Sequence, residues 1–124
     1  MMHEKKIKVV VVAADKKPEV REIPAGLDAL QEIVGGYIEC IYPFKDNVGF
    51  ICNEEGKLLN LPLNRALRYE GTREVYDIIA GDFIIAGLGD EDFCSLTEDQ
   101  IQKYTNMYKK PDEYIRIGKK LFVL

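Results

Sequence analysis

The chain has 124 residues, 47% of them apolar and 31% charged, which gives one domain enough to bury and argues against disorder. Lys and Arg number 17 against 21 Asp and Glu, a net charge of −4. That sign is wrong for gripping phosphate backbones by charge, and its size is too small to imitate duplex DNA along a whole face.

Ile7 to Ala13 is a β-branched run that is apolar on both alternating faces from Val9 onward, as in a strand covered on both sides. Asp15-Lys16-Lys17-Pro18 is a polar turn, and Glu19 to Ile23 alternates polar with apolar, predicting an edge strand paired with the first as a hairpin. From Leu27 the apolar residues Leu27, Leu30, Ile33 and Val34 fall at helical spacing, and Gly35 stands where a left-handed cap wants glycine. Tyr37 to Phe44 and Val48 to Asn53, joined by Lys45-Asp46-Asn47, predict an antiparallel hairpin. On its first strand Ile38, Cys40 and Tyr42 form the less polar face and are expected to turn to the core, with Tyr37, Glu39 and Ile41 on the other. Asn53 to Lys57 reads as a turn into a third strand, Leu58 to Leu61, that Pro62 stops.

Asn64 to Tyr76 carries no clear period; Asn64 to Arg68 fits one helical turn and Glu70-Gly71-Thr72 a loop. Phe83 to Leu88, bounded by glycines, is a second all-apolar run and a second central strand. An acidic loop follows at Asp90-Glu91-Asp92. Thr97 and Gln100 then form a capping box, Leu96 can pack on Ile101 as a staple, and Pro111 ends a helix expected over about 98–110. Its buried stripe would be Ile101, Tyr104, Met107 and Tyr108. Tyr114 to Ile117 and Leu121 to Leu124 suggest a closing strand or hairpin. The sum is an α+β domain spanning 1–124, a curled, mainly antiparallel sheet of about six to eight short strands with two helices near 27–35 and 98–110.

Three cysteines, Cys40, Cys52 and Cys94, with no C-x-x-C spacing, predict reduced thiols rather than a disulfide framework or a zinc site, and with them a cytoplasmic setting. The apolar stretch Val9 to Ala14 is too short for a secretory signal, and no apolar run reaches the length of a membrane span. The one histidine, His3, is expected in a frayed terminus, which leaves a Ser-His or Cys-His pair without a base inside the fold. Asp90 to Asp92 lack the alternating frame that turns carboxylates inward on Ca²⁺, and read as a solvated loop. Gly35-Gly36 and Gly87-x-Gly89 are out of order for a phosphate-binding turn. No cofactor or metal is implied.

The blocks Leu30 to Glu39, Asn53 to Leu58, Leu61-Pro62-Leu63-Asn64, Ile79 to Asp82 and Ser95-Leu96-Thr97 resemble a bacterial and phage domain-of-unknown-function family, number 3846, over about residues 27–104. The resemblance implies an accessory protein of a phage, plasmid or conjugative element, in some members one module of a larger protein, and it implies no activity. Within those blocks Tyr37, Glu39, Asn53, Glu54, Asn64 and Asp82 are the candidate binding residues. Each also has a structural role open to it: the asparagines as caps, Asp82 in a turn, the glutamates as solvated charges. The expectation is a non-enzymatic module that binds a protein partner, or a second copy of itself, through the sheet face around Tyr37, Glu39 and Ile41. A small-molecule or carboxylate-metal enzyme using Glu39, Glu54 or Asp90 to Asp92 is the alternative, and nucleic-acid binding ranks last.

Overall fold

The computed structural model describes residues 5–124, so His3 lies outside the described residues. Strand β1 (Lys6–Val12) is buried along almost its whole length, because it runs inside a sheet with a layer packed on each face. It pairs antiparallel with β2 (Glu19–Pro24), Val10 opposite Val20, as the polar turn between them predicts. Helix α1 (Leu27–Val34) crosses next and ends on Gly35 in the left-handed region, φ 79°, a conformation that favours glycine. The hairpin of β3 (Ile38–Ile41) and β4 (Val48–Asn53) follows. The second all-apolar run is β7 (Phe83–Leu88), seated between β1 and β4 and antiparallel to both. With β8 (Phe93–Cys94) on β7, the sheet has the order β2-β1-β7-β4-β3, leaving β2 and β3 as its edges.

Each face of this sheet has its own core. On one, Ile7, Val9, Val11, Ile51 and Ile84 pack beneath Leu30 and Val34 of α1. On the other, Val10, Val12, Phe50, Phe83 and Ile85 pack beneath α2 (Glu98–Met107) and a separate two-stranded sheet, β5 (Leu63–Arg68) with β6 (Val75–Ala80). Phe50 lies at the centre of an aromatic cluster, its ring centroid 5.6 Å from Phe83, 5.8 Å from Tyr104 and 5.9 Å from Tyr108. A third antiparallel pair, β9 (Tyr114–Ile117) and β10 (Lys120–Val123), closes the chain. The class is α+β, and among the described residues all strand pairing is antiparallel and the sheets do not close into a barrel. Among the described residues no helix is long and apolar enough to cross a membrane.

Four local expectations need correcting. Leu58 to Leu61 is not a strand: the Asn53 carboxamide oxygen accepts the Glu55 N–H at 2.8 Å, and the chain coils, with Leu59 N–H bonded to the Glu55 carbonyl at 2.9 Å. Local side-chain capping wins there over the apolar character of Leu58 and Leu59, both of which face solvent. Asn64 to Arg68 is not a helical turn but the body of β5, because pairing with β6 and burial of Arg65 and Leu67 override helix propensity. Tyr42 lies past the end of β3 and is exposed instead of turned to the core. Helix α2 stops at Met107, which is part-exposed, while Ile101, Tyr104 and Tyr108 form the buried stripe. The capping box at its start is complete, Gln100 N–H on Thr97 Oγ1 at 3.1 Å and Thr97 N–H on Gln100 Oε1 at 2.9 Å.

Candidate functional site

A cleft of about 290 Å³ opens between the β3 edge of the main sheet and β6 of the small one. Glu39 and Ile41 form one wall, because strand alternation turns both to the same side, and Ile41 rests partly on the core beneath. The Tyr37–Glu39–Ile41 face is therefore the side of a cleft rather than an open plane. Cys52 and Asn53 of β4 supply the floor, the 54–58 turn the rim, and Asp77 to Ala80 of β6 the far wall.

The turn is held from below. Asn53, 6% exposed, donates through Nδ2 to the Val34 carbonyl at 3.1 Å and accepts the Glu55 N–H, so one carboxamide ties the end of α1 to the rim. Glu54 N–H reaches back to the Tyr37 carbonyl at 2.9 Å. Gly56 is required by close approach: a Cβ there would meet the Ala80 carbonyl oxygen at 2.5 Å, backbone that cannot yield. Across this contact Lys57 pairs with Asp77.

The cleft is acidic and its charges are unbalanced. Glu39, Glu54 and Glu55 have no cationic group within 4.0 Å among the described residues, whereas Asp77 has Lys57. Burial raises the Cys52 thiol to about 11, with the Glu39 charge adding to the effect, so at neutral pH it is a protonated, unreactive thiol. Its Sγ lies 3.7 Å from the Glu39 carbonyl oxygen. Among the described residues no three His, Cys, Asp or Glu side chains are arranged to hold a metal ion. What the arrangement offers chemically is a set of carboxylate acceptors over a floor of one thiol and one carboxamide.

Of the six candidate residues, Glu39, Asn53 and Glu54 meet in this cleft, and Tyr37 stands beside it with 67% of its surface exposed. Asn64 and Asp82 do not join them. Asn64, 1% exposed, donates to the carbonyls of Val12 at 2.8 Å and Gly81 at 2.9 Å, and Asp82 accepts the Ala14 N–H at 3.1 Å; both fasten the end of β1 to the turn after β6. The acidic loop Asp90 to Asp92 borders a separate shallow depression with Lys5 and Cys94. Glu55, Lys57 and Asp77 complete the cleft, and none of the three was among the candidate residues. The nearest signal was the Asn53-to-Lys57 block itself, which holds two of the three.

A larger cleft of about 500 Å³ lies beyond β6, where Tyr76 and Ile78 face Arg116 and Leu121 of the closing hairpin. It shares Lys57, Asp77, Ile78 and Ala80 with the acidic cleft, so β6 is the partition between the two.

A family model described as Domain of unknown function (DUF3846) matches residues 7–109, from β1 to the end of α2, a wider span than the blocks at 27–104 indicated. No curated protein and no solved structure matches the chain.

Proposed function

The chain belongs to the DUF3846 family, and from that premise we propose that it is a non-enzymatic interaction module that holds a protein partner along the β3 side of the acidic cleft. Tyr37 would contribute contact area, Glu39 and Glu54 charge, and Ile41 an apolar footing, while Asn53 keeps the rim in place. The observation that carries the reading is the pairing of a largely exposed aromatic ring, Tyr37, with carboxylates that have no cationic partner among the described residues, Glu39 on the edge strand of the main sheet and Glu54 on the turn after β4. The setting we propose is the cytoplasm of a cell carrying a phage, plasmid or conjugative element. Three free thiols support the compartment and the family likeness supports the element.

The test is a photo-crosslinking amino acid placed at position 37 of the full chain, with a control at the exposed position 27, at the opposite end of α1, in cells of the native host. Adducts to one partner protein at 37 and none at 27, lost on Glu39→Lys, are expected. Adducts equal at both positions, or none at 37, would refute the module. A response of Glu39 and Glu54 to Ca²⁺ or Mg²⁺ in place of a protein would favour the carboxylate-dependent alternative.

A further inference from the structure

Beyond the acidic cleft, we propose that the outer face of the β9–β10 hairpin is a membrane-surface anchor, which seats the domain reversibly on a bilayer that contains anionic lipids.

The hairpin carries apolar side chains on both faces and is covered on one. Its register sets Tyr114 opposite Val123, Ile115 opposite Phe122, Arg116 opposite Leu121 and Ile117 opposite Lys120, with Gly118 at φ 63° in the tight turn between. Strand alternation then divides the side chains. Tyr114, Arg116 and Leu121 turn inward: the Tyr114 hydroxyl donates to the Asn64 carbonyl at 2.5 Å, and Arg116 and Leu121 line the larger cleft. Ile115, Ile117 and Phe122, which are 43%, 62% and 44% exposed, therefore stand together on the outer face beside Lys120. Asp112 fixes the base of the hairpin, accepting the Ala66 N–H at 2.8 Å and Arg68 Nη2 at 3.0 Å, so a tethered element presents this face.

Charge selects the occupant. Residues 109–124 hold five cations, Lys109, Lys110, Arg116, Lys119 and Lys120, against Asp112 and Glu113, a net +3, while the rest of the chain carries −7. All five cations are exposed, and none has a carboxylate within 4.0 Å among the described residues; Asp112 pairs with Arg68, which leaves Glu113 as the exposed carboxylate of the segment. The field of the whole chain turns this segment toward an anionic surface and the acidic remainder away from it. Apolar side chains set among cations match the boundary of such a bilayer: the ring and branched groups enter it, while Lys120 lays its stem along them and keeps its ammonium at the phosphates. A protein partner fits less well, because a stable interface takes roughly 20–30 residues a side and this face offers three apolar ones. A second copy of the same face would bring the same sign of charge to meet it. Strands of four residues fall short of the roughly 9–11 that span a bilayer, so the hairpin lies on the surface.

The experiment uses the full chain with vesicles of phosphatidylcholine alone or with about one-third phosphatidylglycerol. Cosedimentation of the unsubstituted chain is expected to show binding at least about tenfold tighter on the anionic vesicles and weaker as salt is raised. Lys119→Gln with Lys120→Gln is expected to lower it about tenfold or more, since each cation near the surface is worth about fivefold. Ile117→Ser keeps every charge and is expected to weaken binding about fivefold through lost apolar insertion. These exposed changes are expected to leave the circular dichroism unaltered. Because the chain contains no tryptophan, Phe122→Trp places a single reporter on the face and Leu58→Trp places one at an exposed site elsewhere. A blue shift with anionic vesicles is expected for Phe122→Trp and none for Leu58→Trp. Equal binding to the two vesicle types, no binding to either, or native-like binding by Ile117→Ser would overturn the anchor. So would a blue shift of Phe122→Trp that grows with protein concentration without lipid, since a second copy would then cover the face.

Discussion

The guanidinium of Arg65 donates twice to the carbonyl of Tyr108, through Nε at 3.1 Å and Nη2 at 2.8 Å, and it does so with no exposed surface. Nη1 reaches Asn64 Oδ1 at 2.9 Å and Nη2 the Lys16 carbonyl at 2.6 Å. The cation thus sits on the negative end of α2 and clamps that helix, β5 and the turn after β1 together. Burial pulls Arg65 below its ordinary value while the nearby Asp112 charge supports it; it remains charged at neutral pH. Arg65→Met strands two buried oxygens, the Tyr108 carbonyl and Asn64 Oδ1, and frees the part-buried Lys16 carbonyl, and an expected loss of about 3 kcal/mol follows from leaving such partners unpaired. Urea denaturation measures it; a loss below about 1 kcal/mol would show that these bonds contribute little.

Asp46 is expected to make the fold sensitive to acid. Partial burial works to raise its carboxyl, but hydrogen bonds from Gln100 Nε2 at 3.1 Å, the Tyr104 hydroxyl at 2.9 Å and the Asn47 N–H at 2.8 Å, with the Lys103 charge, hold it below the usual range. A folded-state value below the unfolded value of about 3.9 means that the stabilisation is present above that pH and disappears as pH falls through the folded value. Asp46→Asn is therefore expected to cost about 1–3 kcal/mol at pH 7, with the gap to the native chain closing in strong acid. Thermal melts across pH 2–7 follow it. A gap that widens on acidification contradicts the sign.

Cys52 carries the thiol that should react last. With its value raised to about 11 by burial and by Glu39, the thiolate fraction at pH 7 is on the order of 1 in 10⁴. Iodoacetamide is expected to leave Cys52 unmodified in the folded chain and to alkylate it once urea unfolds the domain, as peptide mass mapping would show. Glu39→Gln removes the second cause and should speed native-state alkylation modestly; a slower reaction would mean that Glu39 does not act on this thiol.

What was legible in the sequence was what local pattern decides. The two all-apolar runs became β1 and β7, because a strand covered on both faces has no polar alternation to confuse it. Thr97 and Gln100 announced α2 through a motif whose hydrogen bonds are contained within four residues. The β5–β6 pair was not legible. Its ladder runs with register shifts between Leu63 and Ala66 and again at Arg68, which erase a clean period of two, and its decisive residue, Arg65, reads as surface in any hydropathy scan. The candidate cleft inherits this asymmetry. Glu39, Asn53 and Glu54 come from segments with turn and strand signals, whereas Asp77 and Ile78 sit on a strand that only tertiary packing defines.

Binding and folding should separate at this site, and the contrast between Tyr37 and Asn53 is the means of separating them. Tyr37 is mostly in water and Glu39 is exposed with no ion-pair partner among the described residues, so Tyr37→Ala and Glu39→Lys are expected to change stability by no more than about 0.5 kcal/mol each. Asn53 is buried, and its carboxamide satisfies both the Val34 carbonyl and the Glu55 N–H. Asn53→Ala should therefore cost about 1–3 kcal/mol and loosen the rim, weakening any partner indirectly. Chemical denaturation of the three variants beside the crosslinking assay distinguishes the routes. If Tyr37→Ala and Glu39→Lys lower stability as much as Asn53→Ala does, their polar and aromatic groups serve the fold and the β3 wall is not a binding surface.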